Sequence, residues 1–314
     1  MSAGVFTLCA DLALGKGFDF LLESAGKADV IIQEGAVPDR LNCVPFDEGF
    51  YVYGRQVLVQ IDADHAFLIE DGARITYRPG PNARAFLTGT IFAIICFQRG
   101  LIPLHASAVT SNGDVHAFTG PPGSGKSTMA MALGRAGMDF FTDDVLVVEP
   151  ADSSELKCYA LQRQAKLWPD SLANLDAGSQ GEAYRRFGAI KHLAGYSEDN
   201  GNGVAAQGVL RSLALVNGGA TARPSIHALE GSEALRMVTA SVYRPQFGVE
   251  IFGLAEFFGA ITQVAQSIDA ERLNRPTDWD QLAEFCAQFV SRIRQGQTSL
   301  GVCKKDPFCN RNSA

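Results

Sequence analysis

The sequence has no apolar run long enough to cross a bilayer. Its longest, Ile91-Phe92-Ala93-Ile94-Ile95-Cys96-Phe97, falls far short of the roughly 20 residues a helical span needs. Near the N-terminus, acidic Asp11 stands where a secretion signal would carry an unbroken apolar core. No membrane partner is expected, and the cytoplasm is the expected compartment. Basic residues are also scarce: 27 Lys and Arg stand against 34 Asp and Glu, a net charge of −7. Neutralising the phosphates of a nucleic acid calls for clustered cations that the chain does not offer, so no nucleic-acid partner is expected either. The seven cysteines are odd in number, scattered, and form no C-x-x-C pair, which makes free thiols the expectation. Cys303 and Cys309 lie close together near the end of the chain, but no His or further Cys beside them completes a zinc set.

What is present is enough for a large core: 314 residues, 46% of them hydrophobic, which suggests two domains. The first hundred residues read as short strands between turn signals: Asp29 to Gln33, Phe50 to Tyr53, Val57 to Ile61, Ala66 to Ile69 and Arg74 to Tyr77. This predicts a small β-rich N-terminal domain over 1–84, closed by Pro79-Gly80-Pro81 and followed by a helical segment from Ala85 to Gln98. From Leu101 the order becomes strand, glycine loop, helix, strand, so an α/β catalytic domain is expected over 85–296. Near its end Leu282, Phe285, Cys286, Phe289, Val290 and Ile293 keep helical spacing behind a Thr277 or Asp278 N-cap. The remaining 297–314 lacks periodicity and reads as a loose tail.

The most informative run is Gly120-Pro121-Pro122-Gly123-Ser124-Gly125-Lys126-Ser127-Thr128, with the spacing G-x-x-x-x-G-K-[ST] of a phosphate-cradling P-loop. Gly120, Gly123 and Gly125 let the backbone turn tightly enough to aim successive N–H groups, with Ser124, at a phosphate. Lys126 brings an ammonium to the β/γ oxygens, and Ser127, next to Thr128, offers a hydroxyl to Mg²⁺. The flanks suit the motif: Asp114 to Thr119 reads as the incoming strand, and Ser127 to Ala136 as the outgoing helix, stopped by Gly137. ATP and Mg²⁺ are therefore the expected cofactors.

Phosphoryl transfer also needs a carboxylate for the metal and a group that orients or deprotonates the acceptor. Asp143-Asp144 supplies two carboxylates, placed before the apolar run Val145 to Val148 rather than after it. On an extended segment neighbours point to opposite sides, so one Asp would face the metal and the other the acceptor. His105, in the apolar segment Leu104-His105-Ala106-Ser107-Ala108, reads by itself as a core histidine, or as a tuner of proton affinity if the chain returns it to the acidic pair.

Together, Leu101 to Val109, Thr119 to Thr128, and Gly137 followed by Thr142-Asp143-Asp144 resemble the catalytic domain of the HPr serine kinase/phosphorylase family. The whole layout is similar to the HPr-kinase-like proteins of bacteria, some of which phosphorylate peptide precursors in lasso-peptide pathways. The resemblance implies an α/β P-loop core related to phosphoenolpyruvate carboxykinase. It also implies roles: His105 paired with Asp143 as the acid/base unit, Asp144 with Ser127 at the metal, and Lys126 on the phosphates. The glutamate- and glycine-rich signature that follows the nucleotide site in HPr kinase/phosphorylase is reduced here to Gly201-Asn202-Gly203-Val204, so neither phosphorolysis nor HPr as substrate carries over. Two further segments, around Lys166-Leu167-Trp168-Pro169-Asp170 and Arg185 to Lys191, resemble the HPr-kinase-like relatives, and Arg186 or Lys191 is a candidate cation for the transferring phosphoryl group, the alternative being a solvated basic face. The expected function is a kinase acting on a serine of a peptide or small protein. A small-metabolite kinase and a non-catalytic ATP-binding sensor are the alternatives, and a homo-oligomer, dimer or hexamer, stays open.

Overall fold

Short apolar runs rich in β-branched and aromatic residues, bounded by turn signals, build the first sheet of the computed structural model, which describes residues 5–62, 64–80, 83–151, 155–186, 189–195, 205–217 and 224–296. Its strands are β1 (Leu8–Ala10), β2 (Val30–Glu34), β3 (Phe50–Tyr53), β4 (Gln56–Gln60), β5 (Ala66–Glu70) and β6 (Arg74–Tyr77), in the order β1-β2-β6-β5-β4-β3. Five of the six were expected, with ends moved by at most a residue or so. β1 was not, because three residues are too few for a period to show. Between β1 and β2 a 3₁₀ turn, Lys16–Leu21, buries Phe18 and Leu21.

Helix α1 spans 83–98 and contains a π segment, Leu87–Ile91, between its α-helical parts Ala83–Phe86 and Phe92–Gln98. The second sheet holds β7 (Ile102–Leu104), β8 (Ala106–Ser111), β9 (Asp114–Thr119), β10 (Asp139–Thr142), β11 (Leu146–Val148), β12 (Lys157–Ala160), β16 (Gln207–Asn217), β17 (Ser225–Ala228) and β18 (Asp269–Asn274). β16 is its spine: one side pairs with β9 in parallel, the other with β12 and then with β18. A third sheet is made of β13 (Gln164–Leu167), β14 (Ser179–Arg186) and β15 (Ala189–Gly195). The remaining helices are α2 (Lys126–Arg135), α3 (Pro169–Asn174), α4 (Gly231–Ser241), α5 (Pro245–Phe252), α6 (Leu254–Gln266) and α7 (Trp279–Arg294).

The two faces of the second sheet feed different cores. Along β9, Val115 and Ala117 join the cluster that reaches back through α1 to Phe6 and Leu8, whereas Phe118 joins α2 and α7 through Met129, Leu133, Leu282 and Phe289. The change of architecture near residue 84 is thus not a break in the core: α1 sits inside one apolar cluster with residues from both sides of it. Of the expected N-caps for α7, Asp278 is the one used, its carboxylate accepting from Gln281 N at 3.0 Å. Residues 297–314, expected as a tail, lie outside the described part of the chain, as do Cys303 and Cys309, and Gly201 to Val204.

Candidate active site

β9 ends at Thr119, the loop Gly120 to Gly125 follows, and α2 begins at Lys126, so strand, glycine loop and helix come in the order the motif requires. Gly120 and Gly125 have φ of 144° and 94°. A Cβ at Gly120 would lie 2.8 Å from Val216 O, and one at Gly125 would run into the guanidinium of Arg275, so both positions need the missing side chain as well as the dihedral. Lys126 Nζ donates to Gly120 O at 2.8 Å and to Pro121 O at 3.4 Å, folded back onto its own loop. Burial pushes its pKa down, against the pull of Asp143 and Asp144. Ser124 Oγ is buried and has no hydrogen-bond partner. A buried hydroxyl and an ammonium held only by loop carbonyls are the groups a phosphate would satisfy, and in this respect the loop fits the β- and γ-phosphates of a nucleotide.

The acidic pair does not lie on an extended strand. Val145 N donates to Asp143 O at 2.8 Å, closing a three-residue turn whose centre, Asp144, has φ of 69°. This conformation is unusual for a residue with a side chain, and it swings the two carboxylates into different surroundings. Asp143, 2% exposed, turns toward the loop: its Oδ1 accepts from Ser127 Oγ at 2.8 Å and Ser107 Oγ at 2.5 Å, and its Oδ2 from Lys166 N at 2.8 Å. Asp144 turns the other way, its Oδ2 2.6 Å from Lys166 Nζ and its Oδ1 3.3 Å from His105 Nδ1. Burial alone would raise the Asp144 pKa, but the Lys166 ammonium and the His105 ring hold it well below the usual carboxylate range.

The expected pairing is therefore exchanged. His105 meets Asp144, not the Asp143 that the resemblance implied, and Ser127 meets Asp143, not Asp144; the turn at Asp144 sets which carboxylate faces which partner. His105 Nδ1 also lies 3.0 Å from Asp144 O. A carbonyl only accepts, so Nδ1 carries the proton in that contact, and Nε2 of the neutral ring keeps its lone pair. The ring is a third exposed, its backbone N donates to Ser241 O at 2.6 Å, and Tyr243 packs beside it with ring centroids 5.6 Å apart.

His105, Lys126, Ser127, Asp143, Asp144, Lys166 and Tyr243 line one cleft of ≈ 1500 Å³ that also receives Gly123, Gly125, Thr128 and Lys191. Thr128 Oγ1 is 3.1 Å from Ser171 Oγ, and Lys191 Nζ sits 5.1 Å over the Trp168 ring. Arg186 ends β14, paired with Ala189; its side chain lies outside the described part of the structure. Among the described residues no three His, Cys, Asp or Glu side chains form a metal cluster. A Mg²⁺ beside Ser127 and Asp143 fits that donor set, since such ions take one or two protein oxygens and complete their shell with phosphate and water.

Sequence reasoning missed Ser107, Lys166 as the partner of Asp144, and Arg275, whose Nε donates to Ser124 O at 3.2 Å. Ser107 had a usable signal, since it stands two residues after His105, a spacing that turns both to one side of an extended segment. Arg275 follows β18 far along the chain from the loop and carries no local signal. Among the described residues, no helix is long and apolar enough to cross a membrane.

No protein-family model matches the chain, and no curated protein does. Among solved structures it is similar to the Hpr(Ser) kinase/phosphatase from Coxiella burnetii, with 11% sequence identity, 62% of this chain and 91% of that chain covered, and a TM-score of 0.34.

Proposed function

We propose that the protein is a kinase that transfers the γ-phosphoryl group of ATP to a serine hydroxyl of a peptide or small protein. The observation that carries this reading is the adjacency of a glycine loop bearing Lys126 and Ser127 to two carboxylates in unlike settings, one against the loop hydroxyl and the other against His105. A protein that only binds nucleotide has use for the first but not for the second.

Ser127 and Asp143 would hold Mg²⁺, which supplies neutralisation of charge on the β- and γ-oxygens. Lys126 leaves its loop carbonyls for those same oxygens, and Ser124 Oγ gains the partner it lacks. On the acceptor side, Asp144 orients His105 through Nδ1, so that Nε2 takes the proton of the acceptor hydroxyl as its oxygen bonds to the γ-phosphorus. The bond from that phosphorus to the bridging oxygen breaks, and ADP leaves. Asp144, kept ionised by Lys166, then faces the imidazolium it helped to form. Lys191 and Arg275 flank the loop as further cations for the phosphates.

The test is transfer of label from γ-labelled ATP with Mg²⁺ into a size-fractionated cell lysate, comparing wild type with Asp144→Asn. Label in a peptide or protein fraction with wild type alone supports the reading. Label confined to small molecules makes it a metabolite kinase, and ATP binding with no transfer makes it a sensor.

A further inference from the structure

The cleft does not end at the catalytic pair. From the loop a line of contacts runs through Ser127 and Asp143 to Asp144 and His105, then to Tyr243, whose hydroxyl lies 3.0 Å from where a Cβ on Gly89 would sit. Gly89 belongs to the π segment of α1, so the far wall is built by the N-terminal part of the chain. The 3₁₀ turn closes the same wall: Gly17 N donates to Gln164 Oε1 at 3.2 Å, and Arg163 N to Gly17 O at 2.9 Å.

Charge along the cleft is opposite to that of the molecule. The protein carries −7, yet seven basic side chains and only three carboxylates line this space. Lys126, Lys191 and Arg275 surround the loop, and Lys166 is neutralised by Asp144. Left over are Lys16, Arg84 and Arg244, all exposed, none with an ion pair or side-chain hydrogen bond among the described residues, and all at the far end. Arg244 is held there at φ of 55°, a conformation that a residue with a side chain rarely adopts. A volume of ≈ 1500 Å³ exceeds the range typical of a single small ligand, so a nucleotide leaves room for a further molecule.

Resting on the kinase reading, we propose that this far end is the acceptor subsite and that it takes an acidic peptide: carboxylates flanking the reacting serine meet Lys16, Arg84 and Arg244. The N-terminal part of the chain is then a substrate-recognition element. Three unpaired cations facing a catalytic centre attract an anionic segment and repel a basic one, and that selectivity weakens with salt.

Binding can be read without catalysis. The full chain is saturated with Mg²⁺ and the non-hydrolysable analogue AMP-PNP, and anisotropy is followed for two labelled serine-peptide libraries, one flanked by Asp and Glu, the other by Lys and Arg. The acidic library is expected to bind, more weakly as salt rises. Binding should fall roughly tenfold or more in Lys16→Glu/Arg84→Glu, whose changes are on the surface and leave AMP-PNP affinity as in wild type. Equal binding of both libraries, or unchanged affinity in the double variant, overturns the proposal while the nucleotide reading stands. Failure of wild type to bind AMP-PNP removes both.

Discussion

Lys166 joins the two carboxylates of the acidic pair: its Nζ lies 2.6 Å from Asp144 Oδ2, while its backbone N donates to Asp143 Oδ2 at 2.8 Å. One residue of β13 thereby sets the attitude of both. The side chains of Lys166 and Asp144 are 24% and 22% exposed, so the pair is largely shielded from water. Lys166→Ala leaves an ionised, half-enclosed carboxylate without its cation and should lower stability by about 1–3 kcal/mol in chemical denaturation. The sign with pH follows from the depressed Asp144 pKa. The folded state binds fewer protons than the unfolded chain, so this stability is complete at neutral pH and is lost as pH falls below about 4. A variant as stable as wild type, with the same acid limb, would show that the pair contributes nothing.

The exchanged pairing separates the two aspartates experimentally. Asp143→Asn should raise the Mg²⁺ concentration needed for transfer, because it weakens the donor set with Ser127. Asp144→Asn should leave Mg²⁺ dependence near wild type and lower kcat by about 10²–10⁴, as expected when the base loses its orienting partner. Mg²⁺ titrations of steady-state rate for both variants decide it. If Asp144→Asn shifts the metal requirement and Asp143→Asn does not, the roles are those the family resemblance implied.

Ser124 offers a test with opposite signs in two states. Its buried Oγ has no partner in the free protein, so Ser124→Ala should leave stability without nucleotide unchanged or raise it by up to about 1 kcal/mol. If phosphate oxygens are what the hydroxyl awaits, the same change should shrink the rise in Tm produced by ATP and Mg²⁺. Thermal shift with and without nucleotide reads both. An undiminished ATP shift would mean that Ser124 makes no contact with the ligand.

How much of this was legible in the sequence depended on how local each signal is. The glycine loop and α2 could be read because every residue that forms them is within one turn of its neighbours, as could the short apolar strands between turn signals from Val57 to Tyr77. That His105 and the acidic pair meet was implied by resemblance, but which aspartate it meets was not legible. It depends on one backbone dihedral at Asp144, and nothing in the string Thr142-Asp143-Asp144-Val145 announces a three-residue turn there. Lys166, Gln162 and Arg275 reach the cleft only because β13 and β18 are brought to it by pairings made far along the chain. Charge composition misled in a similar way: a chain of net −7 gives no hint that seven of its 27 Lys and Arg residues line one cleft beside only three carboxylates.

His116 lies outside the site and sets an acid limit on the fold. It is 1% exposed, its Nδ1 is 2.9 Å from Ser212 Oγ, and it packs edge-on against Phe289 between β9 and α7. Burial pushes its pKa down from 6.5 to about 4, a shift that Asp114 opposes and Arg211 assists. Between those values the unfolded chain binds a proton that the folded one refuses. Stability should therefore fall as pH drops from 6.5 to about 4, by about 3 kcal/mol in total, and level off below as far as this group is concerned. His116→Gln keeps a hydrogen-bonding side chain for Ser212 without the titration, and should flatten that part of the profile at some loss of packing. Urea midpoints measured across this range for both proteins check it: a slope unchanged in His116→Gln would assign the acid sensitivity to other groups.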